Sequence, residues 1–130
     1  MSSSHAVVWI DHVVAHIQHF DAESSTLDNV LSESQHPHLH VKAGTYGSGR
    51  ADENIAYFEK VVAALGDASK ILLVGPASEK LEFQKHLIKA HEHLAKKIVG
   101  VETVDHPTDG QVLNYARQYF KRVDRMQSTY

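Results

Sequence analysis

The hydrophobic period of the chain first changes at a glycine-rich segment. Before it, the chain reads as strands. Ala6–Asp11 carries Val7, Val8, Trp9 and Ile10, and Val13–Phe20 sets Ala15 and Ile17 against His16 and Gln18. A period of two is that of a half-buried strand. The two runs are expected to form a hairpin around Asp11-His12, with the Asp11 side chain supporting the turn. Asp21–Thr26 reads as a second turn. Leu27–Glu33 reads as a third strand, weakened by Asp28, Asn29 and Ser32. Pro37 then limits pairing, and Leu39–Lys42 is at most a short extended piece.

Ala43–Arg50 holds three glycines in eight residues. Glycine loses the most backbone freedom on ordering, so this segment is expected to be a loop. After it the period becomes helical. Ile55, Phe58, Val62 and Leu65 share one face, with Asp52 as N-cap and Gly66 as stop. Lys70–Val74 and Ile98–Val104 are short apolar runs, as in strands buried on both faces of a parallel sheet. Ser78 is placed to cap a helix through about Leu94, with Leu81, Leu87, Ile88 and Leu94 inward. Thr108 and Gln111 fit a capping box that opens a last helix burying Val112, Leu113, Ala116, Phe120 and Val123. The order is β-β-β, loop, α-β-α-β-α. It describes an α/β fold with a single mixed sheet of about five strands. Three antiparallel strands come first, then right-handed βαβ units, with three main helices.

Composition narrows the function classes. A length of 130 residues suits one domain, since domains cluster at roughly 100–150 residues. The absence of cysteine excludes a disulfide scaffold, a thiol nucleophile and a Cys-ligated metal. The longest apolar runs, Ala6–Ile10 and Ile71–Val74, fall far short of the roughly 20 residues of a membrane span. The start, Met1-Ser2-Ser3-Ser4-His5, has no basic segment and no long apolar core, so no secretion signal is read and a cytoplasmic protein is expected. The net charge of −3 hides an asymmetry. Residues 1–66 carry three basic and eight acidic residues, and residues 67–130 ten basic and eight acidic. This is no strongly basic nucleic-acid module, although a local basic face is compatible with it. Eleven histidines make the surface charge pH-dependent below about 6.5.

Ile71–Ala77 (ILLVGPA) and Val99–Gln111 (VGVETVDHPTDGQ), with the Ala43–Arg50 segment and the first strands, resemble the small bacterial proteins often labelled translational machinery protein. These are relatives of the middle domain of archaeo-eukaryotic peptide-chain release factor one and of Pelota. The resemblance runs from about His5 to Arg125. It implies a ribonuclease-H-like mixed sheet and a single release-factor middle-domain-like domain over residues 1–130, without codon-reading or partner-binding domains. Release factors carry a Gly-Gly-Gln loop that enters the peptidyl-transferase centre and positions water on the ester. The corresponding stretch here is Gly44-Thr45-Tyr46-Gly47-Ser48-Gly49-Arg50, which contains no Gly-Gly-Gln. The resemblance therefore implies ribosome or ribosomal RNA as partner, without peptidyl-tRNA hydrolysis.

Several residues carry possible chemistry. In Gly44, Tyr46, Gly47, Ser48, Gly49 and Arg50, exposed backbone N–H groups suit phosphates and Arg50 adds a charge-assisted contact. Tyr46 can stack on a base, a contact worth roughly 1–3 kcal/mol. The competing reading is a plain connection between sheet and helix. Arg117, Lys121 and Arg125 lie four apart and share a helix face. That face suits RNA phosphates, or it only complements the helix dipole. His36, His38 and His40 project from one side if extended, which suits zinc, copper or nickel or else a solvated edge. His86, His91 and His93 read as surface residues, with His86 and His93 on a shared face and His91 elsewhere. Asp11 and Asp105 suggest a magnesium nuclease, but a two-metal site needs further carboxylates. Asp105–Gln111 sits at the carboxyl end of a parallel strand, where open α/β sheets place ligands. The reading favoured is a translation-associated, non-enzymatic binding protein without a cofactor. The alternatives are a metal-dependent nuclease, a residual esterase, or a homo-oligomer that pairs through an edge strand.

Overall fold

The computed structural model describes residues 5–32 and 46–127, with side chains from 5–32 and 55–124. His36, His38, His40 and Gly44 lie outside the described residues. Five strands form one sheet: β1 (His5–Ile10), β2 (Val14–Phe20), β3 (Ser25–Leu31), β4 (Lys70–Gly75) and β5 (Ile98–Thr103), in the order β3-β2-β1-β4-β5. β1 is the pivot. It pairs antiparallel with β2, Val8 opposite Ile17, and parallel with β4, Val8 beside Leu73. β2 pairs antiparallel with β3, and β4 parallel with β5. The mixed five-strand sheet is the one expected.

Both hairpin turns are closed by an aspartate. The Val13 and Val14 amides donate to Asp11 Oδ1 at 2.8 and 2.9 Å. The Glu23 and Ser24 amides donate to Asp21 Oδ1 at 2.9 and 2.7 Å, and the Ser24 hydroxyl does so at 3.0 Å. These backbone hydrogen bonds hold the Asp21 carboxyl below the usual carboxylate range.

Four helices cover the sheet: α1 (Tyr46–Leu65), α2 (Glu79–Ala90), the short α3 (Glu92–Ala95) and α4 (Asp109–Gln127). The strand pleat sends alternate side chains to opposite faces and so builds two cores. Ala6, Val8, Ile10, Ile17, Ile71 and Leu73 pack against α1, α2 and α3 through Tyr57, Phe58, Val61, Leu65, Phe83, Leu87 and Leu94. Val7, Trp9, Phe20, Leu72 and Val74 pack against Val112, Ala116 and Phe120 of α4. Among the described residues, no buried side-chain nitrogen or oxygen lacks a hydrogen-bond partner.

The helices depart from expectation in five respects. α1 begins at Tyr46, so Asp52 lies inside it and is not the cap. The buried face of α1 is Tyr57, Phe58, Val61 and Leu65, and Ile55 is exposed. Gly66 does end the helix, with a left-handed φ of 57° that favours glycine. The single helix expected from Ser78 to Leu94 is broken at His91, whose backbone (φ −141°, ψ 62°) is not helical. Phe83 takes the buried position expected for Leu81 and Ile88, which face solvent. Ser78 makes no side-chain cap; its carbonyl accepts from the Leu81 and Glu82 amides.

The capping box of α4 forms as read. The Thr108 amide donates to Gln111 Oε1 at 2.8 Å, and the Gln111 amide donates to Thr108 Oγ1 at 3.1 Å. Thr108→Ala is expected to cost about 1 kcal/mol. Urea unfolding should show a lower midpoint at unchanged slope. An unchanged midpoint would mean that the reciprocal pair adds nothing to α4.

Candidate nucleic-acid interface

α4 descends the sheet from the carboxyl ends of the parallel strands to their amino ends. At the lower end it meets the β2–β3 turn, and the two enclose a cavity of about 350 Å³. The floor is apolar. The His5 ring lies 5.8 Å from Phe20 and 4.5 Å from Phe120, centre to centre, and the two Phe rings lie 5.6 Å apart. The rim carries Asn114, Gln118, Arg117 and Lys121 on α4, with Asp21, Ala22 and Asp124.

The rim charges divide by what holds them. Arg117 is partly committed to the fold: its Nε donates to the Asp21 carbonyl at 3.0 Å and its Nη2 to the Ser24 carbonyl at 3.1 Å. That uses two of its five donors. Lys121 is exposed. Asp124 is paired with Lys70 at 2.9 Å. Arg125 follows on α4 in the described backbone. Two amides, a cation and an apolar floor suit a planar ring carrying an anionic group. Two cations against two carboxylates make no strong phosphate field.

Burial among these rings pushes the His5 imidazole below 6.5, with Asp124 pulling the other way. A histidine with a depressed folded pKa is protonated first in the unfolded chain. Its contribution to stability is therefore present above pH 6.5 and is lost as pH falls from there toward the folded value. Wild type is expected to lose more stability than His5→Phe between about pH 7 and pH 5. Parallel curves in urea titrations at stepped pH would contradict this.

The glycine segment lies elsewhere. Tyr46–Arg50 has helical backbone and forms the start of α1, where a loop was expected. Two glycines cost about 1 kcal/mol each. Cooperative extension of a 20-residue helix offsets that cost. The Tyr57 hydroxyl donates to the Asp11 carbonyl at 2.8 Å, which pins α1 at the upper edge of the sheet. Residues 46–56 precede Tyr57 on the same helix and make up about 16 Å of it at 1.5 Å per residue. The glycine-bearing start of α1 and the α4 groove are thus on opposite faces and opposite edges of the sheet. The fold does not merge them into one surface.

The upper edge gathers acids and histidines, and among the described residues Asp11 and Asp105 stand apart from any cluster of ligand atoms. Asp11 Oδ1 is engaged by its turn, and Oδ2 lies 3.7 Å from His106 Nε2. The Asp105 side chain is 93% exposed and meets His106 Nδ1 at 2.9 Å. Glu79 is raised by burial and contacts His12 Nδ1 at 3.2 Å. Asp11 and Asp105 belong to no group of three or more ligand atoms within 4.8 Å among the described residues. The one such group is Glu59, His86 and His91. The break at His91 brings it beside His86, against the expectation that the two lie on separate faces. Neither glycine nor proline marks that break, so nothing in the sequence announced it.

This architecture is similar to that of part of Pelota and of an archaeal translation termination factor. Pelota from Archaeoglobus fulgidus aligns over 88% of this chain and 30% of its own, with a TM-score of 0.62 at 14% identity. Pelota from Thermoplasma acidophilum aligns over 85% of this chain and 31% of its own, with a TM-score of 0.59 at 20% identity. The archaeal translation termination factor aRF1 aligns over 95% of this chain and 39% of its own, with a TM-score of 0.57 at 14% identity. The chain thus spans between 30% and 39% of the length of these proteins. No family model and no curated protein matches the chain. No helix among the described residues is long and apolar enough to cross a membrane.

Proposed function

We propose that this chain is a translation-associated binding module, one of the small bacterial translational machinery proteins, which contacts the ribosome or its RNA without hydrolysing peptidyl-tRNA. The observation that carries the reading is the extent of the fold match. It takes in 85–96% of this chain, and the matched proteins are named as translation termination or termination-like factors and as Pelota. The chain contains no Gly-Gly-Gln, so the glutamine that would orient the attacking water has no counterpart. Residues 1–130 act on this reading as one middle-domain-like unit.

Two contact surfaces follow, and they are independent. One is the start of α1, with Tyr46, Gly47, Ser48, Gly49 and Arg50, to which the reading adds Gly44 two residues earlier in the sequence. The other is the α4 groove with Arg117, Lys121 and Arg125. Being on opposite faces, they engage different segments of a large partner. Fluorescence anisotropy with a labelled single-stranded RNA tests the groove. Affinity should fall with salt, and Lys121→Ala should reduce the slope of log K against log salt by about 0.7, the contribution of one phosphate on a single strand. Affinity that ignores salt, or a slope unchanged by Lys121→Ala, would sink the groove as an RNA contact.

A further inference from the structure

Glu59, on α1, faces two histidines of the neighbouring helix in the same layer, His86 on α2 and His91 at its end. His86 Nε2 lies 2.6 Å and His91 Nε2 2.7 Å from the same carboxylate oxygen, Glu59 Oε2. The three ligand atoms all lie within 4.8 Å of one another. The arrangement is anchored from both sides. Phe58, the neighbour of Glu59, is buried in the core, and the His86 ring packs 5.6 Å from it. His91 is fixed by its amide, which donates to the Leu87 carbonyl at 2.7 Å. On an unbroken helix, residues five apart would point about 140° away from each other. The non-helical His91 backbone removes that divergence.

We propose that Glu59, His86 and His91 form a binding site for one divalent transition-metal ion of the zinc type. Two imidazoles and one carboxylate are borderline ligands that suit zinc, cobalt, nickel or copper and not magnesium or calcium. Three protein ligands with an open fourth position are the set found in water-bearing zinc sites. Zinc bonds of 2.0–2.1 Å in a tetrahedron place ligand atoms about 3.3 Å apart. The two contacts at 2.6 and 2.7 Å therefore need to open by about 0.6 Å. That is a small rotation of a Glu59 side chain that is 44% exposed. The ion would bind each imidazole at Nε2 and Glu59 at Oε2, in place of the two hydrogen bonds now made between them.

Isothermal titration of the full chain with zinc chloride tests this, with cobalt absorption as a second readout of four-coordinate geometry. A chain with His36→Ala, His38→Ala and His40→Ala serves as the control for the other histidine cluster. The expected result is one zinc per chain, retained in that control. Zinc should be weakened more than about 100-fold in Glu59→Gln and in the His86→Ala/His91→Ala variant, since even an outer partner of a metal ligand is worth roughly 10–100-fold. Glu59→Gln removes no buried apolar group and keeps the test valid if the double variant fails to fold. No zinc uptake at millimolar metal would overturn the proposal. So would uptake unchanged in Glu59→Gln, or uptake lost only with His36, His38 and His40.

Discussion

Gly75→Ala is expected to destabilise the domain by about 3 kcal/mol, at the upper end for overpacking. Gly75 closes β4 beside β1, the central pair of the sheet. A Cβ there would press on the Ile10 carbonyl oxygen, with the carbonyl carbon 3.5 Å away. The obstacle is backbone, so no side chain can rotate to make room. Movement the other way is blocked as well, because the Gly75 carbonyl accepts the Val104 amide at 2.9 Å. Relief therefore requires β1 and β4 to separate. Thermal unfolding should show a fall of about 10 °C. A midpoint within about 2 °C of wild type would show that the strands part freely. Gly100 is the useful contrast. There an added Cβ meets the Tyr119 hydroxyl, the far end of a side chain, and a smaller loss is expected.

Trp9→Ala is expected to cost about 3–5 kcal/mol, as for other buried large aromatics. Trp9 is 4% exposed and lies in the core beneath α4. Its Nε1 donates to the Asp105 carbonyl at 2.7 Å, joining the centre of the sheet to the segment that leads into α4. The His16 and His106 rings pack on it at 5.6 and 5.2 Å. Trp9→Phe separates the two contributions, because it keeps much of the packing and leaves the Asp105 carbonyl without its donor. Its loss should be about 1 kcal/mol for the hydrogen bond, plus the difference in buried volume. Urea unfolding of both variants decides the matter. A loss below about 1 kcal/mol for Trp9→Ala would mean that α4 is held by other contacts.

The sheet was legible because strand alternation is a local pattern. Ala15 and Ile17 declared their face against His16 and Gln18 without help from distant residues, and the β-rich run Val7–Ile10 declared a strand. The Asp11 turn, the Gly66 stop and the Thr108–Gln111 box were legible for the same reason, since each is a bond between near neighbours. The helix faces were less so. In α1 the buried set includes Tyr57 and Val61 and leaves out Ile55, because the sheet sets where the helix lies and hydropathy does not. The start of α1 at Tyr46 overrode two glycines, a case of context outweighing a local preference.

The sites were legible only as residue types. Arg117, Lys121 and Arg125 were found by their spacing. That spacing could not reveal that Arg117 is tied to the β2–β3 turn, or that His5, Phe20 and Phe120 form a cavity floor beside it. The meeting of Glu59 with His86 and His91 joins residues 27 and 32 positions apart across two helices. It depends on a helix break that carries no sequence mark.

Association with the translation apparatus is decided by co-sedimentation with purified bacterial ribosomes at low and high salt. The Arg50→Ala variant is run beside wild type. Salt-sensitive pelleting of the wild-type chain that weakens in Arg50→Ala is expected, since charge-neutralising contacts release counterions and lose affinity steeply with salt. A chain that stays in the supernatant at every salt concentration would contradict it, leaving a release-factor-like fold put to some other use.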